Sequence, residues 1–185
     1  IAALIFVYIA GHAVQTNWTF FTMYKFKWTE TLVGISLGVS GFMAALVQGY
    51  LIRFIQPKIG NEKSIFYGLS LYAVGMILFA FASESWMMFA FLVPYGLGGI
   101  AGPALQSVIS SEVPKSEQGE LQGALASLVS LTAIVGPPLM TNTFYYFTHD
   151  SAPFIFPGAP FFLGFLLMAI SAVIVYYVFR EKRSH

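Results

Sequence analysis

The chain is 185 residues long, 57% hydrophobic and only 9% charged, with a net charge of +1 and no cysteine. An ordinary soluble domain has about a quarter of its residues charged, so these proportions exclude one, and the missing cysteine excludes disulfides and thiolate metal sites. The basic residues stand in small groups at the ends of apolar runs, a placement that gives no sign of a nucleic-acid partner.

Six apolar runs lie between those groups: Ile1–Tyr24, Thr31–Ile52, Ser64–Ala82, Trp86–Ser110, Leu121–Phe147 and Phe154–Phe179. No Asp, Glu, Lys or Arg falls inside any of them. Each is near the ~20 residues that an α-helix needs to cross ~30 Å of hydrocarbon. None has the charged face that a helix of a soluble bundle requires. The sequence therefore predicts an all-α, polytopic membrane protein of six transmembrane helices, with the lipid bilayer as its surroundings.

The first run carries His12, Gln15, Thr16, Thr19 and Thr22 on one helical face. Polar groups in hydrocarbon cost free energy unless they are paired, so this face should meet protein or a water-filled cavity. His12 is the single side chain in any span that titrates near neutral pH. It reads either as a histidine bonded to a neighbouring helix or as a substrate contact or proton relay.

The second run has small residues at Gly34, Gly38, Gly41, Ala45 and Gly49, a stripe that lets helix backbones approach closely. The same face would serve as a surface that rocks against a partner bundle. Gln48 adds an uncharged hydrogen-bonding group there, and Tyr72 does so on the third run.

The fourth run reads "PYGLGGIAGPALQSVISS", in which Pro94 and Pro103 each remove a backbone hydrogen bond and the glycines between them weaken the helix further. Such a broken helix is either a plain kink or the lining of a substrate path. Tyr95 lies on it, and Gln106 follows Gly102 by one turn.

In the following junction Pro114 should end the fourth helix and Ser116 cap the fifth. Glu117 and Glu120 then stand near its positive dipole end. The fifth run repeats the small-residue pattern at Gly119, Gly123, Ser127 and Ser130, and carries Gln122 and Asn142. The connection from Thr148 to Pro153 continues into "THDSAPFIFPGAP", where three prolines discourage helix and His149 and Asp150 are expected to be solvated.

Arg53, Lys58, Lys63, Lys115, Arg180, Lys182 and Arg183 are seven of the nine basic residues and fall on one side of the alternating connections. Positive-inside bias then places both ends of the chain in the cytoplasm. The sequence opens directly in an apolar run, as a cut inside a larger protein or a processed terminus would. It contains no acid pair, nucleophile with base, phosphate loop or metal cluster, so neither an enzyme nor a bound metal or cofactor is expected.

The stretch Gly98 to Leu139, "GGIAGPALQSVISSEVPKSEQGELQGALASLVSLTAIVGPPL", resembles the tetracycline-resistance branch of the major facilitator superfamily. That branch has a similar G-P-A-L-Q, then Q-G-x-L-Q-G, then G-P on its tenth and eleventh helices. "VGISLGVSGFMAALVQG" and "LFAFASESW" resemble its eighth and ninth. The resemblance implies the C-terminal six helices of a twelve-helix transporter, with the N-terminal six-helix half as a partner absent from this chain.

It also implies a bacterial inner-membrane location, a drug-like small-molecule substrate, a proton as coupling ion, and a central cavity lined by the first and fourth helices here. Taken with the helical faces, it makes His12, Gln15, Thr19, Gln48, Tyr95 and Gln106 the cavity-lining candidates. The superfamily's cytoplasmic G-x-x-x-D-R-x-G-R-K type motif falls on "RFIQPKIGNEK". That segment keeps Lys58, Gly60 and Lys63 but has Arg53 for the glycine and Pro57 for the acid.

Two further positions depart from the branch: its mid-helix histidine is Ala44 here, and its aspartate is Tyr72. Coupling through those two groups is therefore missing from this half. Two rival readings stand beside this one: a sugar, peptide or metabolite facilitator on the same scaffold, and a non-transporting assembly subunit.

Overall fold

The structure is a computed structural model that describes residues 2–182, with the backbone alone at residue 182. Ile1, the expected start of the first span, and Arg183 of the C-terminal charge group lie outside the described residues. The helices are α1 (Ala2–Phe26), α2 (Glu30–Leu46), α3 (Ile52–Ile59), α4 (Asn61–Phe81), α5 (Ser85–Leu97), α6 (Ala101–Ser111), α7 (Gln118–Tyr146) and α8 (Ala159–Lys182), and no strand occurs among the described residues. A single π turn, Val47–Leu51, joins α2 to α3, and a 3₁₀ turn, Gly98–Ile100, joins α5 to α6. Each pair thus forms one interrupted rod.

Among the described residues five segments are long and apolar enough to cross a membrane: Glu30–Ile59, Asn61–Phe81, Ser85–Ser111, Lys115–Tyr146 and Ala159–Glu181. The sixth expected span, α1, has 25 described residues and carries His12, Gln15 and Asn17 among its apolar side chains. It lies in the bundle against α7 and α8.

Helix ends differ from the sequence expectation where chemistry other than charge decides them. The second rod does not stop before Arg53. It runs on through Pro57 to Ile59 and ends at Gly60, whose φ of 80° is open to glycine and costly for other residues. Gly60 N donates to the Gln56 carbonyl (2.9 Å), and Ser64 donates back to the Gly60 carbonyl through both N (3.0 Å) and Oγ (2.8 Å).

The turn is tied to α6 by neutral side chains. Gln56 Nε2 donates to Asn61 Oδ1 (2.5 Å), and Asn61 Nδ2 donates to Ser107 Oγ (3.0 Å). Ser116 does not cap α7, because a 3₁₀ turn (Lys115–Glu117) intervenes and Glu117 takes the N-cap position. Gln118 secures that junction by donating to the carbonyls of Ser110 (2.7 Å) and Val113 (2.8 Å). The last helix begins at Ala159 rather than Phe154, after the proline-containing segment. His149 is partly exposed, with its ring stacked on Tyr145 at 5.2 Å.

Close packing centres on α4. A side-chain carbon at Gly68 would fall 2.8 Å from Ala101 Cβ, one at Gly75 2.7 Å from Tyr95 Cβ, and one at Gly98 2.6 Å from Tyr72 Cγ. Tyr72 of α4 therefore lies over a glycine of the broken rod, while Tyr95 of that rod lies over a glycine of α4. Their rings meet at 5.0 Å and 65°. On the other flank of α4, Gly164 of α8 admits Met76 Sδ (3.1 Å) and Ala13 Cβ (3.3 Å), and Gly158 abuts the Ala80 carbonyl.

The buried core adds Phe21, Phe79 and Phe161, with Phe21 and Phe161 edge-to-face at 5.0 Å. Ser171 Oγ fastens α8 to α1 by donating to the Ala3 carbonyl (3.0 Å).

The two small-residue stripes do not pack helices within this bundle. A side-chain carbon at Gly34, Gly38, Gly41, Gly49, Gly119 or Gly123 would meet nothing within 4 Å. The faces of α2 and α7 that bear them are largely open. Repetition of small residues marks a face that accepts a close neighbour. Here the close neighbours sit instead at Gly68, Gly75, Gly98 and Gly136.

Gly98→Ala is expected to destabilise the fold by about 1–3 kcal/mol through overpacking, because the backbone nitrogen of Tyr72 also lies 2.9 Å from the added carbon. Gly11→Ala, which enters open space, should leave the unfolding temperature in detergent unchanged or raised. Equal behaviour of the two variants would contradict the interlock.

Candidate functional site

Uncharged polar side chains gather at three stations. The first is on α1. Gln15 is exposed, while His12, Thr16 and Thr19 are half-buried. Thr16 Oγ1 donates to the His12 carbonyl (2.6 Å) and accepts from Asn17 Nδ2 (2.9 Å). A side-chain carbon at Gly136 of α7 would overlap the His12 ring, so this glycine is what admits the imidazole between α1 and α7. Thr22, expected on the same polar face, is instead fully buried and donates to the Trp18 carbonyl (2.8 Å).

The second station is the break between α5 and α6. The missing N–H of Pro103 frees the carbonyl one turn earlier, at Gly99, and the rod tightens there into its 3₁₀ turn. Above Gly99, one point lies 3.7 Å from Tyr72 Oη, 3.7 Å from Val47 Cγ1 and 3.8 Å from Gln48 Nε2. Gln48 reaches it from the π turn, a distortion that re-aims side chains and recurs at functional sites. Tyr95 is held beside it by Tyr72. The third station joins α6 to α7, where Gln106 Nε2 donates to Gln122 Oε1 (3.2 Å) and both side chains are exposed.

The structure thus brings Gln48 and Tyr95 to one place, pairs Gln106 with Gln122, and leaves His12, Gln15 and Thr19 together on α1. No hydrogen bond recorded among the described residues links one station to another. α1 packs chiefly on α7 and α8, while α5 packs on α4 and α2.

Amides, hydroxyls and one imidazole give these stations hydrogen-bond donors and acceptors without a formal charge. Among the described residues no three His, Cys, Asp or Glu gather to hold a metal. The loop-motif residues Lys58, Gly60 and Lys63 lie at the α3–α4 turn and belong to none of these stations, with both lysines exposed.

Three features escaped the sequence reading. Trp18 Nε1 donates to Ser36 Oγ (2.8 Å), a fully buried bond that joins α1 to α2. Tyr72 is the packing partner of Gly98 as well as a departure from the expected acid. Asn17 is wholly buried, and its Oδ1 has no hydrogen-bond partner. The available signal was an amide at the i+4 and i+7 positions of the stripe formed by Ala10 and Ala13, which is otherwise apolar.

The family model described as Major Facilitator Superfamily matches residues 1–185. The chain is 37% identical over 145 residues to the tetracycline resistance protein, class C, of Escherichia coli, a match covering 76% of this chain and 37% of that protein. It is 40% identical over 131 residues to the class E protein of Escherichia coli, covering 71% of this chain and 32% of the relative. With the class H protein of Pasteurella multocida it shares 29% identity over 177 residues, which is 96% of this chain and 43% of that one. The chain therefore spans between about a third and two fifths of the length of these relatives.

Gly136→Ala should displace His12 and lower the unfolding temperature. Adding His12→Ala should restore part of the loss, with a coupling of about 0.5–3 kcal/mol in a double-mutant cycle. Strict additivity would show that the two residues do not touch.

Proposed function

This chain belongs to the Major Facilitator Superfamily, and from that premise we propose that it is the C-terminal six-helix half of a secondary active transporter. The transporter exports a tetracycline-like small molecule in exchange for protons across the bacterial inner membrane. Both ends of the chain face the cytoplasm, as its basic residues favour.

The observation that carries the reading is the combination of open small-residue faces on α2 and α7 with exposed amides on α1, α6 and the π turn. A second bundle seated on those faces would enclose the amides at its border. Rocking of one bundle on the other then exposes the polar surface to each side of the membrane in turn.

Within the site Gln15, Gln48 and Gln106 bind and orient the substrate through hydrogen bonds, and Tyr95 supplies a ring wall. The Ala44 and Tyr72 positions hold no ionisable acid or imidazole, so proton coupling falls to His12 or to the other half. An uncharged lining equally suits a neutral polyhydroxy compound, which makes a sugar or metabolite facilitator the second reading. An assembly subunit with a dry interior would have no use for the polar face of α1.

A single hydrogen bond contributes about 0.5–1.5 kcal/mol, a roughly 2- to 12-fold change in affinity. Gln15→Ala and Gln106→Ala should therefore each raise the apparent KM for efflux of tetracycline from cells by about that factor, with membrane abundance unchanged. A protonophore should abolish efflux by the unaltered protein. Unchanged transport in both variants would remove the two glutamines from the site. Uptake of a sugar with no movement of tetracycline would replace the substrate reading.

A further inference from the structure

Away from the three polar stations, the seam between α4 and α8 holds a two-part groove. One part, about 350 Å³, sits at the α3–α4 turn end of the bundle, with Glu62, Lys63, Tyr67 and Arg180 around it and Phe66 and Tyr176 as shared walls. The other, about 420 Å³, continues along the same seam from Phe66 and Tyr176. It is lined by small and apolar side chains: Ser70, Ala73, Ala169, Ala172 and Val173. The charged end and the apolar trough adjoin, and Tyr67, Tyr176, Val173 and Tyr177 are all about half exposed along them.

We propose that this groove is a binding site for one anionic phospholipid. Its phosphate lies between Lys63 and Arg180 at the membrane surface, and an acyl chain lies along the alanine-lined trough. The two cations exceed the one carboxylate of the pocket, so the end favours net negative charge. Arginine adds a planar fork that matches two phosphate oxygens.

Basic pockets between transmembrane helices recognise anionic headgroups in this way. Tyrosines at the same level place a polar tip in the headgroup layer and a ring against the acyl region. The trough is floored by the small side chains of Ala73, Ala169 and Ala172, and none of its lining residues belongs to the three polar stations. A soluble anion would fit the cations but leave the apolar trough empty. A partner helix would gain nothing from charges confined to one end.

The test uses the intact polypeptide that carries this chain, purified in mild detergent with equal amounts of phosphatidylglycerol, phosphatidylethanolamine and phosphatidylcholine. Retained lipid is counted by native mass spectrometry. Phosphatidylglycerol should exceed both zwitterionic lipids, and the Lys63→Gln/Arg180→Gln pair should remove most of that preference, at roughly fivefold per cation. Both side chains are exposed, so the fold should survive, as an unchanged unfolding temperature would show.

Lys115→Gln, a basic residue on the same side but outside the groove, should leave the preference intact. Val173→Trp should lower phosphatidylglycerol retention by filling the trough. A preference that persists in the double variant would overturn the proposal, as would equal retention of phosphatidylethanolamine. Displacement of the lipid by excess inorganic phosphate would make the occupant a free anion and overturn it too.

Discussion

Two tyrosines, each lying over a glycine of the other's helix, fix α4 against the broken α5–α6 rod. Tyr72 covers Gly98, Tyr95 covers Gly75, and the rings meet edge to face. In lipid no hydrophobic force draws helices together, so association depends on close van der Waals fit. The fit matters most here, because Pro94 and Pro103 leave the rod short of backbone hydrogen bonds. The rod's 3₁₀ turn begins at Gly98 of this interlock, with Gly99 below Gln48 and Gln106 further along bonded to Gln122. The second polar station therefore shares Tyr72 and Tyr95 with this interlock.

The remaining packing divides the helices by role. α4 is enclosed on two flanks, by α5–α6 and by α8, and α8 in turn carries α1. α2 and α7 hang at the margins, α2 fastened by the Trp18–Ser36 bond and α7 by the His12–Gly136 contact. Their outer faces expose large apolar side chains, including Phe42 and Ile134, beside the unfilled glycines. An apolar face of this kind suits lipid or a second bundle equally well. The exposed amides near it favour the second bundle, because amides left in hydrocarbon are costly.

Much of the architecture was legible in the sequence because ionised side chains do not sit in hydrocarbon. The spacing of Lys25, Arg53, Glu84, Lys115 and Arg180 therefore marks membrane crossings. The ends were less legible. Arg53 lies on a helix that has no reason to stop at a charge and continues until Gly60 takes a positive φ.

The amides of Gln15, Gln48 and Gln106 were visible as candidates because each is a polar group within a span. Their separation into three stations was not visible, since it follows from the π turn and from helix packing, which sequence spacing does not encode. The glycine stripes misled for a related reason: a repeat of small residues shows what a face permits, not what stands against it. Gly68, Gly75 and Gly98 carry the contacts without forming so regular a pattern.

The central claim is that the amides on α1, α6 and the π turn face a water-filled path, while the α4–α8 seam faces lipid. The chain contains no cysteine, so a cysteine introduced singly is the sole thiol it contributes. The direct measurement is labelling of Gln15→Cys, Gln48→Cys and Gln106→Cys in native membranes by a membrane-impermeant maleimide, with Val173→Cys as the lipid-facing reference. The account predicts labelling at the three glutamine positions, reduced by bound substrate, and little at Val173. Labelling at Val173 with none at the glutamines would contradict it.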